Sequence, residues 1–150
     1  MGNRNLDKEF IEVNNHCNFE EIFEIFKGVI YQPSKENVKS ILTDYEKSQE
    51  KTLYGYFLNK KLVGIIGVMR NTENTEILHL GAHSKYRGMK LGTEAINFIK
   101  KENKTIILST DDDAITFYQK YGFKSVAYFE EKYQKTRYNC TYKQSTNKEN

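Results

Sequence analysis

The 150-residue chain contains no tryptophan, one proline and two cysteines, and no apolar stretch approaches the length of a membrane span. Cys17 and Cys140 lie far apart without a C-x-x-C motif, which favours two reduced thiols over a disulfide and indicates no zinc site. His16, His79 and His83 show no metal-ligand spacing, so we expect no metal. The N-terminal residues include no apolar secretory region, and the sequence therefore predicts a cytoplasmic protein that makes no membrane contact.

The composition is that of a soluble globular protein. Hydrophobic residues make up 38% of the chain and charged residues 29%, and the 11 tyrosines and 9 phenylalanines argue against disorder. The net charge of +3 arises from 23 basic and 20 acidic residues that are mixed along the chain, so we expect no nucleic-acid partner. The length fits one domain over residues 1–150, with short mobile tails near 1–6 and 144–150, in a monomer or a homodimer.

Apolar periodicity divides the chain into strands and helices. Asn18 is placed to cap the first helix and Ser34 the second, and Pro33 separates the two. The polar residues 59–61 join two apolar segments and predict a hairpin. In chain order, the predicted elements are a strand over 9–15, helices over 18–30 and from 34, strands over 52–59, 61–70 and 76–84, a helix from Thr93 to Lys101, a strand over 105–110, a helix within 111–122, and strands over 123–131 and 136–143.

A predicted helix lies between the fourth and fifth strands, and this order has a topological consequence. A strand–helix–strand passage is a right-handed crossover, which pairs the two strands in parallel. The hairpin and the strand that follows it form an antiparallel meander instead. We therefore predict a single α/β (α+β) domain with a mixed, mostly antiparallel sheet of about seven strands and about four flanking helices.

Residues 84–92 read SKYRGMKLG and lead directly into a helical segment. Main-chain N–H groups at such a helix start, helped by the helix dipole and by basic side chains, are suited to hold an anion. A solvated loop that Thr93 caps would have the same composition, because short glycine motifs are common by chance. This stretch alone leaves the two interpretations open.

Arg87, Lys90 and Gly92 resemble the pyrophosphate motif of the GNAT superfamily of acetyl-CoA-dependent N-acetyltransferases. That motif is Arg or Gln, two residues, Gly, one residue, and then Gly or Ala. Lys90 stands where the family usually has glycine, and the backbone donors survive this change only if the φ angle tolerates a side chain. The sequence does not decide whether Lys90 weakens coenzyme binding.

A second segment, AITFYQKYGF over 114–123, is similar to a later motif of the same family, which has Ala, an apolar residue, Tyr and Gly-Phe at the corresponding places. Asp111 stands where the family often has Asn. The two motifs occur in the family order, with a helix and a strand predicted between them, and the resemblance extends over about residues 52–126. The anion that the resemblance implies at SKYRGMKLG is the pyrophosphate of coenzyme A.

The resemblance implies acetyl-CoA as co-substrate and a sheet whose fourth and fifth strands splay apart, often with a β-bulge. The pantetheine arm then lies in the gap and pairs with exposed main chain like an extra strand. An ordinary continuous sheet is the alternative. The coenzyme-binding residues that the resemblance implies are Leu80, Gly81, Ala82, Arg87, Gly88, Met89, Lys90, Leu91, Gly92, Thr93, Asp111, Ala114 and Tyr118.

The resemblance also implies catalytic roles. Tyr118 matches the family tyrosine near the coenzyme sulfur and would protonate the departing thiolate, although its aromatic segment also suits a core. Glu76 opens the fourth strand at the spacing where several family members carry a catalytic glutamate that acts on the amine directly or through water. An exposed glutamate at a strand start is the alternative. His79 and His83 are weaker candidates for the base, since a lone strand histidine is more often structural.

The acceptor is expected to be a small-molecule or peptide amine. In the family, the first two helices, their loop (here near 31–34) and the last strand pair shape its site. Those parts carry mixed charge and many tyrosines in this chain and favour no substrate class. Two other functions stay open: a GNAT-like module that binds acyl-CoA without turnover, for which Lys90 argues, and a nucleic-acid-binding domain. The latter would use residues 130–143, whose interleaved basic and aromatic residues also fit a terminal strand pair.

Overall fold

The computed structural model describes residues 8–13, 17–87 and 90–144, which build seven strands and four α-helices. The strands are β1 (Lys8–Glu12), β2 (Lys51–Leu58), β3 (Lys61–Arg70), β4 (Asn74–Ala82), β5 (Thr105–Asp111), β6 (Lys124–Glu130) and β7 (Lys135–Tyr142). The helices are α1 (Phe19–Phe26), α2 (Lys35–Lys47), α3 (Leu91–Lys100) and α4 (Ile115–Tyr121), with a 3-10 turn at Ser84–Tyr86. Gly88 and Met89 of the predicted loop, His16, and residues 14 and 15 of the predicted first strand lie outside the described residues.

The strands form one sheet in the order β1-β2-β3-β4-β5-β7-β6. β4 and β5 pair in parallel, as the predicted crossover requires, and every other neighbouring pair is antiparallel. The prediction of a single α/β domain with a mixed, mostly antiparallel sheet is confirmed. The predicted terminal strand pair forms the hairpin β6–β7.

The helices lie in pairs on the two faces of the sheet. On one face, α1 and α2 bury Ile25, Phe26 and Val38 against β2 and β3, and on the other α3 and α4 bury Ile96 and Tyr118. Burial of such side chains stabilises each face by roughly 1.5–3 kcal/mol per residue. The sheet is therefore covered on both sides, and access to its middle depends on how the strands pair.

Short-range signals in the sequence set the element boundaries around this core. Asn18 Oδ1 accepts a hydrogen bond from a main-chain N–H at 2.8 Å and caps α1, and Ser34 Oγ does the same for α2 at 3.0 Å. Asn59 and Lys60 have φ angles of 52° and 69° and form the two-residue turn that joins β2 to β3. These three predicted features are confirmed.

β4 and β5 separate soon after they meet. Their parallel pairing covers only Asn74–Glu76 against Thr105–Ile107, although β4 continues to Ala82 and β5 to Asp111. The predicted splay is confirmed, and the alternative of a continuous sheet is wrong. Beyond Glu76, the edge of β4 that faces β5 has no strand partner among the described residues.

A bulge in β4 accompanies the separation. Val68 of β3 lies opposite Ile77, whereas the preceding Gly67 lies opposite His79, so Leu78 is an extra residue in β4. An extra residue bends the strand and increases its twist. The bulge therefore turns the end of β4 away from β5, at the point where the resemblance implied one.

The start of α3 differs from the prediction. The helix begins at Leu91, and its N-cap is Lys90, whose φ of 62° and ψ of 30° are left-handed. Thr93 lies in the first turn and does not cap the helix. A lysine seldom adopts this conformation, and the helix starts two residues before the predicted start at Thr93. α4 begins at Ile115 and ends at Tyr121, within the predicted range 111–122.

Candidate active site

A cleft of about 590 Å³ opens between the end of β4 and the helices α3 and α4. One wall is the strand edge beyond the bulge, and the other consists of the first turn of α3 and one side of α4. Its lining includes these predicted coenzyme-binding residues: Leu80, Gly81, Ala82, Arg87, Lys90, Leu91, Gly92, Thr93, Ala114 and Tyr118. The two motifs that are separate in the sequence therefore face one cleft.

A second cavity, of about 350 Å³, occupies the gap where β4 and β5 diverge. It shares Leu80, Asp113, Ala114 and Tyr118 with the first cleft, so the two spaces join beside the tyrosine. The second cavity also reaches the carboxyl end of β5, where Asp111 lines it. At this junction, which the four shared residues line, a group bound in the first cleft would meet a group bound in the gap.

Tyr118 is held firmly at this junction. Only 7% of the residue is exposed, and its ring packs edge-on against Phe117 and Phe123 with centroid distances of 5.0 and 5.5 Å. Burial raises the pKa of the hydroxyl above its usual range, and Cys140 and Asp111 raise it further. The hydroxyl is therefore protonated at neutral pH and able to donate.

The end of β4 offers main chain to the cleft. Leu80, Gly81 and Ala82 pair with β3 along one edge only, since β5 has left the other edge. Gly81 is needed here for a different reason: a Cβ at this position would collide with the side chain of Val29, which follows α1. The segment after α1 thus closes the far side of the strand, and the free strand edge remains available for an extended ligand.

The left-handed conformation of Lys90 explains why glycine is usual at this place in the motif. A side chain in that conformation costs about 1 kcal/mol or more relative to glycine, which adopts it freely. Lys90 nevertheless keeps the turn, and it lines the cleft with Arg87. The departure from the motif therefore alters the stability of the turn without removing the helix start.

Gly92 and Arg87 make contacts that the motif did not predict. A Cβ on Gly92 would lie 2.9 Å from Cζ of Phe117, so this glycine permits α3 and α4 to approach each other. A Cβ on Gly28 would lie 2.6 Å from Nη2 of Arg87, which places the guanidinium against the segment that follows α1. Both residues line the cleft, yet each also has a packing role.

Asp111 supports the turn before α4. Its Oδ1 accepts hydrogen bonds from the main-chain N–H groups of Asp113, at 3.1 Å, and Ala114, at 3.3 Å. These bonds fix the chain as it leaves β5 and thereby set where α4 and Tyr118 begin. Asp111 lines the gap beside the carboxyl end of β5 and is not part of the first cleft.

Glu76 and the histidines occupy three different environments. Glu76 is half-buried opposite Ile107, at the last parallel pair, and it lines neither of the two cavities. His79 lines the gap, and its Nδ1 lies 2.7 Å from the hydroxyl oxygen of Tyr45. Burial, and then the charge of Lys51, lowers the pKa of His79 to about 4.

His83 has a local structural role. Its Nδ1 accepts a hydrogen bond from the main-chain N–H of Lys85 at 3.1 Å, and its ring packs edge-on against Tyr86. Both contacts belong to the 3-10 turn at Ser84–Tyr86. His83 therefore stabilises the approach to the loop and does not line the gap.

A third cavity, of about 690 Å³, was not predicted as a unit. It shares Ser109 and Arg137 with the gap and therefore continues it outward, away from the first cleft. The sequence indicated its surroundings only through the tyrosines of the loop near 31–34 and of residues 130–143. The residues that line it are Tyr31, Ser109, Tyr128, Glu130, Tyr133, Lys135 and Arg137.

Two general searches of the described residues gave no further site. No set of three or more His, Cys, Asp or Glu side chains in ranges 8–13, 17–87 and 90–144 is grouped so that it could hold a metal ion. In the same ranges, every helix is too short or too polar to cross a lipid bilayer.

Comparison with known proteins places this geometry in context. The model of the acetyltransferase (GNAT) family matches residues 17–123. An acetyltransferase from Thermus thermophilus has a similar structure, with a TM-score of 0.75 and 16% identity over 91% of this chain and 97% of that one. The ribosomal-protein-S18-alanine N-acetyltransferase from Escherichia coli gives 0.71 and 14%, over 96% and 98%. An aminoglycoside 6'-N-acetyltransferase complexed with coenzyme A gives 0.71 and 18%, over 94% and 99%. At these identities the structures share the fold.

Proposed function

The chain belongs to the acetyltransferase (GNAT) family, and we propose that it transfers the acetyl group of acetyl-CoA to a primary amine. One observation carries the proposal. Tyr118, whose hydroxyl is protonated at neutral pH, lines both the motif-lined cleft and the gap between β4 and β5. A coenzyme in the cleft and an amine in the gap would meet beside it.

The cleft suits coenzyme A in shape and charge. The free main-chain edge at Leu80–Ala82 fits an extended arm that pairs like a strand. Lys90 brings a cation to the end of the cleft that adjoins the start of α3, where a pyrophosphate is favoured, and Arg87 lines the same cleft with its guanidinium against Gly28. Asp111 acts through the turn that it holds before α4, as a positioning residue.

The chemistry requires three proton transfers around one exchange of bonds. Acetyl-CoA supplies the acetyl group as a thioester. The amine nitrogen forms the new C–N bond as the C–S bond breaks, after a base has taken one proton from the ammonium. Tyr118 protonates the departing sulfur and regains a proton from the nitrogen, so the net products are the amide, the thiol and one proton.

Glu76 is our proposed base, and it would act through water. Alternation with the buried Thr75 and Ile77 directs Glu76 to the face of the sheet that carries α1 and α2. It stands at the last parallel pair of β4 and β5, where the two strands begin to separate. His79 lies nearer the gap, but a pKa of about 4 makes its imidazole a weak base at pH 7.

The runner-up function is an acyl-CoA-binding module without turnover. The left-handed Lys90 favours it, because a strained turn is a departure from the family motif. The nucleic-acid alternative has weaker support, since residues 130–143 form part of a hairpin in which Lys135 and Arg137 line a cavity. The cytoplasmic location and the choice between monomer and homodimer stay predictions.

Two measurements on the full chain test the proposal. Calorimetry with coenzyme A should show saturable binding, and incubation with acetyl-CoA and an amine library should release free thiol and yield an acetylated product. Binding with no transfer to any amine would establish the non-catalytic module instead. Failure to bind coenzyme A would exclude both, and calorimetry with single-stranded DNA would then test the nucleic-acid alternative.

A further inference from the structure

Arg137 stands in the wall between the gap and the outer cavity. It lies on β7 opposite Asp111 of β5 and Tyr128 of β6, and it lines both spaces. The residue is half-buried. A group that reaches from the gap into the outer cavity would pass the two residues that line both, Ser109 and Arg137.

The guanidinium has no carboxylate partner among the described residues. Its one side-chain hydrogen bond there donates Nη2–H to Ser109 Oγ at 3.3 Å, and Ser109 Oγ lies 3.0 Å from the hydroxyl of Tyr128. Asp111 is the cross-strand neighbour, but its Oδ1 accepts from two main-chain N–H groups and it forms no ion pair. Arg137 is thus oriented by hydroxyl groups and retains donors for an anion.

The outer cavity favours an aromatic or apolar group. Tyr31 and Tyr133 are 76% and 54% exposed, with ring centroids 6.3 Å apart and an interplanar angle of 57°. Tyrosine rings that face solvent offer flat apolar surface at small entropic cost. Glu130, Lys135 and Arg137 give the lining one negative and two positive charges, which disfavours a polycation.

We propose that the acceptor is an α-amino acid with an aromatic or large apolar side chain. Its carboxylate binds the guanidinium of Arg137, its amine enters the gap toward Tyr118, and its side chain lies against Tyr31 and Tyr133. Arginine suits a planar carboxylate because it can donate two parallel hydrogen bonds. This inference rests on the proposed acetyl transfer and adds the substrate class.

The charges around the gap favour a carboxylate over a phosphate. Asp111, at the end of β5, and Asp113, just before α4, also line the gap, and their charge is opposite in sign to that of Arg137. They attract the ammonium group of an amino acid, whereas a dianion beside them is repelled. The lining therefore suits a zwitterion, whose carboxylate binds Arg137 and whose ammonium group is attracted by the two aspartates.

The test compares acceptors that differ at the carboxylate alone. Thiol release from acetyl-CoA is measured with L-phenylalanine, L-phenylalaninamide and phenethylamine. A charged hydrogen bond of ordinary strength corresponds to about 10–100-fold in kcat/KM, so L-phenylalanine should exceed both analogues by that factor. The amide is a stringent control, because its amine loses a proton more readily than that of the acid.

Substitutions then assign the preference to Arg137. In Arg137→Gln we expect KM for L-phenylalanine to rise about 10–100-fold while kcat changes little and the analogues are unaffected. Arg137→Lys keeps the charge and should recover part of the loss. Lys124→Gln makes the same charge change at the far end of the β6–β7 hairpin, where Lys124 is exposed opposite Thr141, and should leave the preference intact.

The outcomes separate this inference from the proposed function. If amines without a carboxylate are acetylated as well as L-phenylalanine, or if Arg137→Gln keeps the preference, the inference is overturned and acetyl transfer stands. If no amine in the library is acetylated, both are overturned. Unchanged coenzyme affinity and melting temperature in Arg137→Gln show that the variant is folded when its kinetics are read.

Discussion

The cleft beside α3 and the outer cavity beside the β6–β7 hairpin meet at the same gap, but different kinds of chemical group line them. The cleft is lined by a strand edge, a left-handed turn and a helix start. The outer cavity is lined by three tyrosines, a serine, a glutamate and two cations, which come from the α1–α2 loop, β5 and the β6–β7 hairpin with its turn. The ligand-binding groups that we propose are mostly main-chain groups in the wall of the cleft and side chains in the wall of the outer cavity.

Because of this difference, substitutions in the two walls should affect different properties of the protein. A main-chain wall has the same donors whatever the side chains are, so its requirement is a backbone conformation. A side-chain wall changes its ligand with each substitution while the strands stay paired. We therefore expect substitutions in the outer cavity to alter acceptor choice, and substitutions at the α3 turn to alter stability and coenzyme affinity.

Tyr118 lines both the cleft and the gap and should show the largest effect. In Tyr118→Phe the ring and its packing against Phe117 and Phe123 remain, while the hydroxyl is lost. Loss of a general acid lowers turnover by about a hundredfold or more, whereas coenzyme affinity and melting temperature should stay nearly constant. Steady-state kinetics with calorimetry measure the two readouts. Full activity in this variant would make Tyr118 a core residue and leave the proton to water.

His79 should make the stability of the protein depend on pH. Its folded pKa of about 4 lies below the unfolded value of 6.5, so the unfolded chain takes up a proton first as pH falls. The stabilisation is complete above pH 6.5 and is lost between 6.5 and 4, by about 2 kcal/mol for this half-buried ring.

Urea unfolding of the wild type and His79→Gln from pH 7.5 to 4.5 measures the difference. The variant should lose less stability over that range, and parallel curves would contradict the prediction. A clear effect would show that a side chain lining the gap between the two walls also contributes to stability, because His79 lines the gap and contacts Tyr45.

Glu76 should matter to rate in a pH-dependent way. General-base catalysis accelerates a reaction by about a hundredfold at its low end, and a base that acts through water gives less. We therefore expect Glu76→Gln to lower turnover about tenfold at pH 7. The loss should shrink toward pH 10, where the acceptor amine deprotonates without help. Initial rates across that range test this. An equal loss at every pH would point to packing or positioning, and His79→Gln, assayed in parallel, tests the competing base.

Lys90 should give the smallest effect, on stability. Lys90→Gly removes the left-handed side-chain strain but adds freedom to the unfolded chain, and the balance is a gain of about 0.5 kcal/mol in the free energy of unfolding. Lys90→Ala removes the charge and keeps the strain, so it should give no gain. Urea titrations of the three proteins measure this, and coenzyme calorimetry isolates the charge. Stabilisation by alanine equal to that by glycine would disprove the strain argument.

Most of the fold was predictable because its signals are local. Asn18, Ser34 and the turn at Asn59 and Lys60 act on residues only a few positions away, and apolar periodicity marks which face is buried. The start of α3 was predicted two residues late, because a lysine gives no signal for a left-handed conformation. Only the surrounding turn forces that conformation on Lys90.

The sequence by itself determined the motifs of the proposed coenzyme site: they are short, and each reflects a backbone turn or a helix start. Only the tertiary structure decided the site that we propose for the acceptor. Tyr31, Ser109 and Arg137 are far apart in the chain and meet because β5 leaves β4 and pairs with β7 beneath the loop after α1. Tyr45 reaches His79 only because Gly67, on a third element, leaves space for its hydroxyl. Such contacts depend on long-range packing, and no local pattern in the sequence records them.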